Sequence, residues 1–363
     1  MKSAVINNDI ATVTELLAAG ANVNDRYEYG QSILIWASYK GHEDMVRYLV
    51  GVGANISATN NLGATALFSA ALSGHLAIVE YLVSMGADIF VQNNEGNTAF
   101  TCAVYKGHID MVKCLVSLGV TIKSKDKHSV FALIIAADKG YVNIVEYLVE
   151  SGVDSAAKDR NGSTALVIAA DSGHESIVRY LVAIGVDPDI KDGNGNTALV
   201  IAADSGHESI VRYLVELGVD PASKDLSGNS ALVIAANSGH DSIVRYLVEA
   251  GVDPVAKDRN GKTALSCAEN KGHEAVLTYL AELGIYRVLP CPVPAIYPVS
   301  AATIFTDRAL SSVVSASSLA SASERGAASS SAFSAFAPNK ASITDTPDPD
   351  QASISTRSVK AKI

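Results

Sequence analysis

The pair Gly41-His42 returns as Gly74-His75, Gly107-His108, Gly173-His174, Gly206-His207, Gly239-His240 and Gly272-His273, with Gly140-Tyr141 filling the one gap, so every step is 33 residues. A constant step without insertions requires each unit to present the same faces to its neighbours, so the core grows along one dimension. The 363 residues therefore need not divide, although a single globular core usually stops growing at about 250 to 300 residues. Two further marks keep the same register. One is Gly-x-Thr-Ala-Leu, at 63–67, 162–166, 195–199 and 261–265; the other is Gly-Ala-Asn, Gly-Ala-Asp or Gly-Val-Asp, as at 53–55, 86–88 and 185–187. Residues 163–195 and 196–228 differ at only 7 of 33 positions, which points to copying within the chain.

One unit can be read from 164–174, Thr-Ala-Leu-Val-Ile-Ala-Ala-Asp-Ser-Gly-His. Thr164 is a suitable N-cap, since its hydroxyl can accept from an orphan amide of the first turn. The alanines behind it let a neighbouring helix approach closely, and Gly173 supplies the left-handed residue that ends the helix. A second helix follows over 176–182, with Ile177, Val178, Leu181 and Val182 on one apolar face. Glu175 and Arg179 lie on the opposite face, as do Glu43 with Arg47, Glu208 with Arg212 and Asp241 with Arg245. Each pair at this spacing is worth about 0.2 to 0.5 kcal/mol on a solvated helix. Gly185 closes the second helix, and the Asp, Asn and Gly of the next segment suit a tight hairpin turn. Aromatic residues make up only 6% of the chain, so packing rests on Ala, Leu, Val and Ile.

Helix, Gly-His, helix, Gly-Ala/Val-Asp and hairpin at this period resemble the ankyrin repeat. The resemblance covers about residues 1–285 and implies an all-α solenoid of helix-turn-helix units with hairpin loops. The expected layout is a partial N-terminal cap over 1–25, then eight repeats at 26–58, 59–91, 92–124, 125–157, 158–190, 191–223, 224–256 and 257–289. A Pro then Ser/Ala-rich tail over 290–363 is expected to be disordered. In the cap, Asn8-Asp9 aligns with Gly41-His42, leaving a first helix of one turn that is expected to fray. The chain departs from the family's Thr-Pro-Leu-His. Ala takes most Pro positions, and the His position holds Ile35, Phe68, Thr101, Ile134, Val167, Val200, Val233 or Ser266. Apolar replacement of a buried polar pair can be nearly neutral, so the fold expectation stands.

Chemistry is sparse. Seven of eight histidines share one slot between helices, repeating at a helix-packing step of about 10 Å, too far for joint metal ligation at about 2.0 to 2.1 Å. Cys102, Cys114, Cys267 and Cys291 show neither zinc-knuckle spacing nor a disulfide framework. There is no phosphate-cradling loop, no Gly-x-Ser-x-Gly and no His-Glu-x-x-His. No enzyme and no cofactor are expected. Residues 1–285 carry 21 basic and 33 acidic side chains, net −12, against 7 and 5, net +2, over 286–363. Such a surface repels phosphate backbones, so nucleic acid is not an expected partner. No apolar run is long enough to span a membrane and no signal-peptide core follows Met1. A monomer in the cytoplasm is expected, with the nucleus as the alternative.

The resemblance places binding on the hairpin tips and the concave face of the first helices, with a protein as partner. Tyr27, Tyr29, Tyr39 and Tyr105 offer large amphipathic area at low entropic cost. Trp36 sits at an inward position and is read as core. Residues 121–141 lose the turn glycine (Ser129), the capping Thr (Phe131) and the His (Tyr141), while gathering Lys123, Lys125, Lys127, His128 and Lys139. That basic island either grips an acidic peptide or marks a degenerate unit. Arg160 stands at the next tip. Asp138, Asp171 and Asp204, followed by Asn237, repeat once per unit beside Ser172, Ser205 and Ser238, a ladder that a basic extended partner would fit. The reading is a scaffold or adaptor. The rival is an inhibitor or host-directed effector that occludes a target enzyme.

Overall fold

The computed structural model describes residues 1–124 and 126–286; the expected tail disorder, Lys125 and Cys291 lie outside the described residues. Eighteen helices, and no strands among the described residues, alternate along the stack. First helices such as Ala66–Ser73 and Ala198–Ser205 pack against the first helices of both neighbours, and second helices such as Leu76–Ser84 and Glu208–Glu216 form a parallel outer layer. The layers differ because the sequences do. In Ala66–Ser73 every residue from Ala66 to Leu72 is buried, whereas Leu76–Ser84 buries only Ile78, Val79 and Leu82. Alanine lets successive first helices pack more closely on one another than successive second helices do.

Caps fall where Ser and Thr recur. Thr164 Oγ1 accepts from Val167 N at 3.3 Å, Thr197 from Val200 N at 3.4 Å and Ser32 from Ile35 N at 3.3 Å. Six of the seven Gly-His pairs join two units through the imidazole. His207 Nε2 donates to Asp171 O at 2.8 Å, and His42, His75, His174, His240 and His273 reach the equivalent carbonyl of the preceding unit. Tyr141 spans the gap in the pattern, with its hydroxyl 3.5 Å from Tyr105 O. At the N-terminus, Asn8 adopts φ 57° in the glycine slot and Asp9 caps the next helix through Thr12 N at 3.0 Å. The one-turn helix Lys2–Ile6 buries Val5 and is tied down by His42 on Ile6 O at 2.9 Å.

One unit differs. The helix Lys127–Lys139 has 13 residues where its counterparts have seven or eight. Ser129 replaces the glycine that elsewhere holds positive φ, such as Gly162 at 78° and Gly195 at 79°. Without that left-handed residue the turn becomes helix. Asp126 fills the slot that organises the other turns and acts here as N-cap, accepting from His128 N at 3.0 Å and Ser129 N at 3.1 Å.

Candidate interaction surface

Hairpin turns are organised from within by one Asp or Asn. Oδ1 of Asp192 accepts from Asn194 N and Asn196 N, both at 2.8 Å. Asp258 accepts from Asn260 N at 2.8 Å and Lys262 N at 2.7 Å, and Asn60, Asn93 and Asp159 repeat the pattern. These carboxylates face into the turns, and Asp258 is only 9% exposed. The cations of the same turns face out: Lys158, Arg160, Lys191, Lys224, Lys257, Arg259 and Lys262 are all exposed. Leu226, at a tip among them, is 57% exposed.

In the first hairpin Tyr27 occupies the slot of the organising acid. The turn becomes a single 3-10 turn, Glu28–Gly30, in which Tyr29 adopts φ 58°, a left-handed conformation that a bulky residue rarely takes. Tyr29 is 69% exposed, and its carbonyl accepts from Asn61 N of the next hairpin at 2.9 Å. Tyr27 is half-buried against the core, and burial followed by the nearby Asp25 raises its hydroxyl pKa. Tyr39 and Tyr105 share one slot, two units apart, at the ends of first helices. Tyr39 meets Trp36 edge-on with ring centres 6.4 Å apart, and Trp36 is buried as core. The ammonium groups of Lys106 and Lys139 lie 5.8 and 5.2 Å from the Tyr105 ring centre. The four tyrosines thus form two groups, one at the first hairpin and one along the first helices.

Lys127 is exposed at the start of the long helix, and the Gln92 amide lies 3.2 Å from the His128 ring nitrogen. Lys139 pairs with Asp138 at 2.9 Å, and that hydrogen bond raises the lysine pKa. The acid ladder is engaged from the next unit. Ser172 Oγ donates to Asp138 at 3.2 Å, Ser205 Oγ to Asp171 at 2.7 Å and Ser238 Oγ to Asp204 at 2.6 Å.

The outer face carries a second ladder. Arg179 Nε donates to Glu175 at 2.7 Å, which holds its guanidinium stacked 4.0 Å from the Tyr213 ring centre in the next unit. Arg47 on Tyr81, Arg212 on Tyr246 and Arg245 on Tyr279 do the same at 4.3 to 4.4 Å. These arginines join units. Where Glu80 takes the cation slot, the partner slot holds Cys114, whose thiol donates to Glu80 at 3.8 Å; burial first, then Glu80, pushes its pKa up.

Among the described residues no three His, Cys, Asp or Glu side chains converge as metal ligands, and no helix is long and apolar enough to cross a membrane. A family model for ankyrin repeats, in three copies, matches 1–93, 85–159, 152–225 and 217–287. The chain belongs to the ankyrin-repeat family. Ankyrin repeats are in general protein–protein interaction modules. No curated protein matches this ankyrin chain.

The ankyrin hairpins also carry a row of cations. Lys158, Lys191, Lys224 and Lys257 recur once per unit, a signal visible at the same 33-residue period. Lys224 Nζ donates to Lys257 O at 3.1 Å and Lys191 Nζ to Lys224 O at 3.4 Å, so the ammonium groups are drawn into a line across successive hairpins.

Proposed function

We propose that this ankyrin-repeat chain is a non-catalytic scaffold or adaptor that holds a protein partner along its hairpin tips and the concave side of its first helices. The observation that carries this reading is the contrast between slots. Stacking positions repeat nearly unchanged and are buried, while one tip slot reads Tyr29, Leu62, Glu95, His128, Asn161, Asn194, Ser227 and Asn260. Side chains that differ from unit to unit on an otherwise copied frame suit recognition of a non-repeating surface. Tyr29, Tyr39 and Tyr105 would supply aromatic anchors, with Tyr27 supporting the first of them. Lys127, His128, Lys139 and Arg160 would supply polar contacts at the centre, and Asp138, Asp171 and Asp204 would contribute through the oxygens not taken by serine. The partner is a protein and the working unit is a monomer in the cytoplasm or nucleus.

Proximity labelling tests this reading. The full chain is compared with one variant carrying Lys127→Ser and Arg160→Ser and another carrying Asp171→Asn and Asp204→Asn. A scaffold of this kind loses specific captured proteins in at least one variant. Identical captured sets in both would remove these surfaces from the account.

A further inference from the structure

On a chain of net charge −10, the hairpins from 158 onward present an outward row of cations. The segregation is geometric. Asp159, Asp192, Asp225 and Asp258 spend Oδ1 on turn amides, leaving the lysines, Arg160 and Arg259 on the outside. The acids of the preceding arm, Asp187, Asp189 and Asp220, crowd one another instead, and burial and their mutual repulsion raise the pKa of Asp189. Between the last three hairpins lies an open groove of about 420 Å³, lined by four cations, Lys191, Lys224, Lys257 and Arg259, together with Leu226 and the turn carboxylates Asp225 and Asp258.

The sequence beyond the described residues contains one concentrated acidic stretch. Residues 345–350 read Asp-Thr-Pro-Asp-Pro-Asp, with no basic residue between Lys340 and Arg357. It follows Tyr286, at the end of the stack that bears the groove, by a tether of 58 residues. That tether can span at most about 200 Å, so reach excludes no hairpin and charge must select. Asp345 and Asp348 are three residues apart, about 10 Å in an extended segment, close to the roughly 8 to 10 Å step between packed units that separates successive lysines. Covalent attachment also sets an effective concentration on the order of millimolar, enough to populate a contact too weak to form between separate chains.

We infer that the acidic stretch at 345–350 docks in cis on the lysine row of the last hairpins, with Asp345, Asp348 and Asp350 facing Lys191, Lys224, Lys257 and Arg259. This contact stands independently of whether the repeats hold a protein partner.

Zero-length carbodiimide coupling of the full chain, read by peptide mass spectrometry, tests this without any partner. The expected products are amides from Asp345, Asp348 or Asp350 to Lys191, Lys224 or Lys257, within the monomer fraction and unchanged on dilution. Their yield falls several-fold between about 0.05 and about 0.5 M salt as screening shortens. Lys224→Glu with Lys257→Glu removes them, and adding Asp348→Lys with Asp350→Lys restores coupling with amine and carboxylate exchanged. Asp345→Asn, Asp348→Asn and Asp350→Asn together leave the repeats untouched and remove the products as well. Coupling of the tail acids mainly to Lys2, Lys40, Lys106 or Lys113, coupling only between molecules, or none at all, overturns the inference.

Discussion

The imidazole of His207 lies directly over Gly173: a Cβ at that glycine would stand 2.5 Å from His207 Cε1. One residue therefore ends a helix, at φ 78°, and leaves room for the ring that ties the next unit to Asp171 O at 2.8 Å. Gly185, at φ 96° with no atom within 4 Å of its added Cβ, carries the backbone requirement alone. Gly185→Ala is expected to cost about 1 to 2 kcal/mol from the left-handed conformation. Gly173→Ala should cost about 1 to 3 kcal/mol more, because the ring must move. Urea unfolding measures both, and equal losses would deny that the glycine makes room for the histidine.

The long helix of the fourth full unit depends on Asp126. Asp126→Ala is expected to destabilise by about 0.5 to 2 kcal/mol, and Asp126→Asn by only a few tenths. Hydrogen exchange at His128 N and Ser129 N should accelerate in the alanine variant. Unchanged protection there would mean that the helix start does not rely on this cap.

Acid should loosen the outer layer. Hydrogen bonds from Ser209 and then Arg179 hold Glu175 below the usual carboxylate range, and Ser242 and Arg212 do so for Glu208. Both native pKa values lie below their unfolded ones, so the stabilisation is present above the ordinary value of about 4.3 and is lost as pH falls through the lowered native values. Asp189 has the opposite sign, and its ionisation opposes folding. Thermal unfolding across acidic pH should show a shallower loss in Glu175→Gln with Glu208→Gln than in the parent chain. Parallel curves would contradict this.

Arg179 and Tyr213 should couple. A double-mutant cycle using Arg179→Ala and Tyr213→Leu is expected to give about 0.5 to 1 kcal/mol, the range for a solvated cation on an aromatic face. Additive losses would reduce these arginines to solvated side chains.

The fold was legible in the sequence because Gly-His, Thr-Ala-Leu and the apolar spacing of the second helix each have one structural meaning and recur without insertion. The surface was less legible. Asp171 and Ser205 read as neighbours of unknown purpose, and only the structure shows them bonding across units, since a residue's partner lies 34 positions away. The arginine pairs were visible as helix neighbours of Glu, whereas their stacking on the next unit's tyrosine was not. Ser129 signalled a lost turn, but the helix that replaced it follows from Asp126 being available as a cap. The lysine row had a clear period and was missed beside the acid ladder.

Tyr29 offers the most direct test of the hairpin-tip account, because its conformation disfavours the fold while its ring faces solvent. Tyr29→Gly should raise stability by roughly 1 kcal/mol through relief of the left-handed strain, so a loss of binding could not be ascribed to unfolding. Quantitative proximity labelling would compare the parent chain with Tyr29→Gly and with Ile184→Ser, an exposed position following a second helix. The account predicts that specific captured proteins fall several-fold in Tyr29→Gly and persist in Ile184→Ser. Equal capture by all three, or loss only in Ile184→Ser, would contradict it.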